Sequence, residues 1–163
     1  MTGVAVNKLL MAAFVVAAWV GVCLASGAAS AQDLDKPYVI ADDGTVDWYT
    51  FSGFRRYHAD CHVCHGPDGL GSSFGPALAD SLKVLSYDDF LEIVTNGRER
   101  VSHSDFRKMP AFGLNPNVMC FVSDLYAYLK ARSDGVLGRG RPEKREDKPQ
   151  QAKDRDTACL PSD

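Results

Sequence analysis

Tyr57-His58-Ala59-Asp60-Cys61-His62-Val63-Cys64-His65-Gly66 is the stretch on which the reading of this chain turns. Cys61, Cys64 and His65 make a C-x-x-C-H sequence. On one helical turn that spacing aims both sulfurs at the two vinyl groups of a haem and sets the next histidine beneath the iron. The thiols would form thioethers, and the His65 imidazole would be the proximal ligand. A dithiol redox site needs only C-x-x-C, and a structural zinc site needs a second ligand pair. Neither explains the motif as a whole, so one covalent haem c is the cofactor expected.

Upstream of the motif, Phe54 and Tyr57 sit three apart with Arg55 and Arg56 between them, which predicts a short amphipathic helix running into Cys61. Downstream, residues 66–79 hold four glycines and two prolines and cannot form a regular element. Ser86 and Asp89 make a capping box ahead of Phe90, Ile93 and Val94, predicting a helix over 87–96 that stops at Gly97. Asn115 as N-cap and Pro116 at the first helical position open the longest predicted helix. Val118, Phe121, Val122, Leu125 and Leu129 lie on one of its faces, and it ends at Gly135. No strand pattern is read from Gln32 onward, so the fold class expected is all-α.

The ends of the chain are different in kind. Lys8 is the only charge before Asp33, and an apolar run from Leu9 to Ala25 leads to the small residues Ala29 and Ala31. This is a secretory signal layout with cleavage before Gln32; a retained membrane anchor is the alternative. The expected divisions are a signal peptide at 1–31, a surface arm at 32–50, the haem domain at 51–135 and a charged tail at 136–163. Residues 138–158 contain no Val, Leu, Ile, Met, Phe, Tyr or Trp, which predicts a disordered tail. Removing the leader takes Lys8 from 18 basic residues and leaves all 21 acidic ones, a formal charge of −4. That excludes a nucleic-acid binder and suits an acidic carrier steered to a basic partner patch.

Met109 precedes Pro110, which holds it extended in a loop and suits a side chain presented to a flat haem face. Tyr57 to Gly66, then Gly75-Pro76-Ala77-Leu78, then Met109-Pro110-Ala111-Phe112 and a final helix together resemble a class I cytochrome c over roughly residues 50–135. The resemblance implies that the first and last helices cross beside the haem. It also implies that the Pro76 carbonyl accepts the His65 ring proton and that Met109 supplies the sixth iron ligand. Met119, inside the last helix, and His103, in a loop, are competitors for that ligand. His58 and His62 are read as surface residues too near the proximal side to reach the other haem face.

Of the five cysteines, Cys23 leaves with the leader and two serve the haem. Cys120 and Cys159 remain as an even pair in an oxidising compartment, where an intramolecular disulfide is the expected state. Unpaired thiols or a link between molecules are the alternatives. With this added pair the chain resembles the four-cysteine, methanol-metabolism-related c-type cytochromes. Such a likeness implies a periplasmic electron carrier, not an enzyme. A quinoprotein alcohol dehydrogenase would stand upstream and a further cytochrome or oxidase downstream, with membrane contact only if the leader is retained. An open sixth position, in a haem enzyme or gas sensor, and a bound subunit of a dehydrogenase complex are the rival readings.

Overall fold

In the computed structural model, residues 36–101 and 106–160 are described, and the leader and His103 lie outside them. The first helix, α1 (Trp48–Arg56), begins earlier than the Ser52 start read from the sequence. Asp47 is the reason: its carboxylate accepts from the Tyr49 and Thr50 N–H groups at 2.8 and 3.0 Å, capping the helix there. A π turn, Tyr57–Cys61, follows and leads into α2 (His62–His65).

After the glycine-rich loop come α3 (Leu78–Ser81) and α4 (Tyr87–Asn96). The α4 cap is the reciprocal box expected of Ser86 and Asp89. A small antiparallel hairpin, β1 (Arg98–Val101) and β2 (Phe106–Met109), corrects the strand-free reading; two strands of four residues are too short to carry a period. The long helix is split into α5 (Pro116–Met119) and α6 (Val122–Ser133), with non-helical backbone at Phe121. Asn115 caps α5 through its side chain, as its position before Pro116 suggests.

The centre of the fold is the crossing of α1 on α6. A Cβ built on Gly53 would stand 1.9 Å from the Asp124 carbonyl oxygen, so any side chain there would drive the helices apart. Around this contact Phe51, Tyr57, Leu125, Tyr128 and Leu129 are buried. Tyr57 and Tyr128 have ring centroids 5.5 Å apart, and Tyr128 meets Phe54 in a T-shaped contact.

The segment read as a disordered tail is folded onto this body. Its backbone pairs with the arm: Glu146 N–H donates to the Val46 carbonyl, and Val46 N–H to that of Lys144. Val46 is wholly buried, so the arm is a structural part of the domain and not a surface lead-in. The tail then forms α7 (Gln150–Cys159), with Ala152 fully buried.

Leu137 anchors the start of the tail in the core, and residues 138–158 need no large apolar side chain because the body supplies the apolar surface. Arg145 lies over Trp48 and Phe51, Arg141 over Phe51 and Lys148 over Trp48, at 5.0–5.7 Å from the ring centroids. Basic side chains have apolar stems and are attracted to ring faces, which a count of large apolar residues does not register. A disulfide joins Cys120 to Cys159 with 6.0 Å between their Cα atoms, closing the far end of the tail on the α5–α6 corner.

Asp124, 2% exposed, accepts two bonds from the Arg155 guanidinium at 2.7 and 2.8 Å. Burial raises the Asp124 pKa, and Arg155 works against that rise. Arg155→Ala would leave a buried carboxylate unpaired, and we expect a loss of about 3 kcal/mol in guanidinium unfolding. The loss should grow as pH rises above about 4, because a carboxyl with a raised folded pKa costs stability once it must ionise.

Candidate haem site

His65 closes α2 and is 8% exposed. The loop that follows wraps back over it. Gly71 N–H donates to the His65 carbonyl at 2.8 Å, and Ser72 Oγ to that of Cys64 at 2.5 Å. Gly75 passes so close that a Cβ there would lie 2.9 Å from His65 Nδ1. This lets the next residue, Pro76, bring its carbonyl oxygen to 2.9 Å from Nδ1. A carbonyl acceptor makes Nδ1 the protonated nitrogen and leaves the lone pair on Nε2.

His65 opens onto an apolar cleft bounded by α3, α4 and α6. Leu82, Phe90, Val94 and Leu125 form its walls, with Cys61 at the margin beside His65. Burial, helped by Asp60 and Cys64, pushes the Cys61 thiol up to about 12. Cys64 is exposed, and the two thiols are unbonded.

Met109 lines the same cleft. It ends β2 opposite Arg98, and the chain beyond it is pinned to α4 by Phe112 and Gly113 N–H bonds to the Val94 and Thr95 carbonyls, each 3.0 Å. The hairpin thus presents Met109, and Pro110 starts the turn away. Met119 is packed against the core but does not line the cleft. The structure therefore brings Cys61, His65 and Met109 to one apolar space, with Pro76 behind His65. A thiol, an imidazole with a free Nε2, a thioether sulfur and otherwise apolar walls suit a flat, largely apolar iron cofactor.

Residues 51–129 match the family model described as cytochrome C oxidase, cbb3-type, subunit III. Cytochrome c-555 of Methylococcus capsulatus is 43% identical over 100 residues, covering 61% of this chain and 75% of that one. The chain belongs to the c-type cytochromes. Cytochrome c-553I of Paracoccus denitrificans is 52% identical over 131 residues, 80% of this chain; the match spans 58% of that longer relative. The crystal structure of c-type cytochrome XoxG from Methylobacterium extorquens AM1 superposes with a TM-score of 0.64 at 48% identity, covering 76% of this chain and 81% of that one. The fold is that of a class I cytochrome c and the cofactor is covalent haem c.

One residue of this cytochrome's haem loop escapes the sequence reading. Asp68, three residues past His65, is 4% exposed and has a left-handed backbone with φ 61°. Its carboxylate accepts from Gly140 N–H at 2.9 Å and Arg139 Nε at 3.2 Å, and its carbonyl from Arg132 Nε at 3.2 Å. The tail therefore grips the loop that carries the motif. An Asp between Pro and Gly reads as an ordinary turn residue, and its partners lie 71 and 72 positions away.

Burial is the largest influence on the Asp68 carboxyl and would raise its pKa, but Gly140, Arg139 and Arg132 together hold it below the usual range. A depressed folded pKa contributes stability that is complete at neutral pH and is lost as pH falls below about 4. Asp68→Asn should cost about 1–2 kcal/mol at pH 7. It should also flatten the acid limb of the stability curve measured by denaturant unfolding.

Proposed function

We propose that Cys61 and Cys64 would hold the haem through thioethers, with His65 Nε2 and the Met109 sulfur as the two protein ligands to its iron. The convergence of Cys61, His65 and Met109 on one cleft carries this reading. Bound haem supplies a one-electron iron couple. The Pro76 carbonyl fixes the His65 tautomer and ring plane, so the imidazole presents the same nitrogen in both redox states. Met109 occupies the position a substrate or gas would need, and its sulfur favours the reduced state over a second histidine. The apolar walls keep water from that sulfur and act in the same direction. The cytochrome is thus an electron carrier and not an enzyme.

The leader at 1–31 sends the chain to the periplasm, where the Cys120–Cys159 pair stays oxidised. Among the described residues no helix is long and apolar enough to cross a membrane. The donor is a quinoprotein alcohol dehydrogenase and the acceptor a further cytochrome or oxidase, following the likeness to methanol-metabolism-related cytochromes. The net acidic mature chain docks on a basic partner patch, so the reaction should slow as salt rises. Stopped-flow reduction by a purified quinoprotein alcohol dehydrogenase tests the partner. Failure to turn over at low salt would remove that enzyme as donor.

The family description as an oxidase subunit favours a second reading, in which this cytochrome is a stable subunit of a larger complex. Size measurement of the native protein separates the two, since a free carrier runs as a small monomer.

Met109→Ala is expected to keep the covalent haem, lose the weak red sulfur-to-iron band of the oxidised form, and lower the midpoint potential. An unchanged spectrum would assign the sixth ligand elsewhere.

A further inference from the structure

His58 and His62 are four residues apart on the turn that leads into the haem motif, an H-x-x-x-H pair that the sequence reading treats only as two surface residues. We infer that they form a second metal site, outside the haem cleft, for a divalent transition ion of the zinc, copper or nickel kind. Neither ring lines the cleft. Their centroids are 5.6 Å apart with the planes inclined by 25°. Two imidazoles bound at about 2.1 Å to one tetrahedral ion have centroids roughly 5 Å apart, close to the separation of this pair.

The nitrogens are prepared for this unequally. His58 Nδ1 lies 2.9 Å from the Phe54 carbonyl, which makes it the donor and leaves the Nε2 lone pair for a ligand. A carbonyl behind a metal-bound histidine is the usual means of fixing tautomer and ring plane. Phe54 also lies against the His58 ring, at 4.3 Å between centroids, and Tyr57 meets it edge-on at 5.1 Å. His62 Nδ1 is buried without any hydrogen-bond partner, a nitrogen whose donor or acceptor capacity nothing in the fold uses.

The donor set decides the class of ion. Among the described residues no group of three or more His, Cys, Asp or Glu could enclose a metal, so water must complete the coordination and the ion must exchange readily. Imidazole suits zinc, copper and nickel, whereas magnesium and calcium take oxygen ligands that this pair lacks. The inference does not depend on which residue is the sixth iron ligand.

Haem-loaded mature protein, stripped with a chelator, is titrated with Zn2+ by calorimetry and with Cu2+ by electron paramagnetic resonance. One saturable Zn2+ per chain is expected, with affinity falling at least about tenfold in His58→Gln and in His62→Gln. His103→Gln should bind as the parent does, and Mg2+ should not compete. The Cu2+ signal should carry coupling to two imidazole nitrogens in the parent and to one in each variant. Absence of saturable binding, binding that survives both substitutions, or loss confined to His103→Gln would overturn the site. If one substitution alters the haem spectrum, the other variant and the parent's Cu2+ signal decide.

Discussion

Everything in this cytochrome hangs on the approach of two backbones at Gly53 and Asp124. The missing side chain at Gly53 lets α1 rest directly on the Asp124 carbonyl, and the aromatic rings of Phe54, Tyr57 and Tyr128 lock around that point. The same Asp124 turns its carboxylate the other way to hold Arg155 of the tail. One residue thus joins the helix crossing to the strap that encloses it. A buried charge in such a place is tolerated only because both carboxylate oxygens are satisfied.

The haem site is assembled by short-range and long-range means together. The C-x-x-C-H turn is local and brings its own geometry, while Pro76 reaches His65 because Gly75 has no side chain to obstruct the loop. Met109 reaches the same cleft on a hairpin tied to α4, so the cleft is completed only when three separate parts of the chain have packed. The tail adds a fourth hold through Asp68, on the loop immediately after His65. That arrangement suits an electron carrier, in which the ligand frame must change little between oxidation states.

The readings that failed did so for identifiable reasons. Residues 138–158 have the composition of a solvated segment, yet their guanidinium groups lie on Trp48 and Phe51, rings that a reading of the tail alone never sees. The arm around Val46 has no period, because its burial comes from bridging to Lys144 and Glu146 and not from a helix or strand of its own. The long final helix is unbroken by any Gly or Pro signal, and its interruption at Phe121 sits where Arg56 and Arg155 both stack on that ring and where Cys120 meets Cys159.

The sequence by itself determined the C-x-x-C-H motif, the capped helix at 87–96 and the N-cap at Asn115, because each is written in residues that are neighbours along the chain. Tertiary structure alone decided the grip on Asp68, the burial of Asp124 beneath Arg155 and the folding of the tail. The physical reason is distance: these contacts join groups 31 to 102 residues apart. They depend on surfaces that exist only after α1 and α6 have crossed. No local pattern of hydropathy or spacing encodes such a meeting.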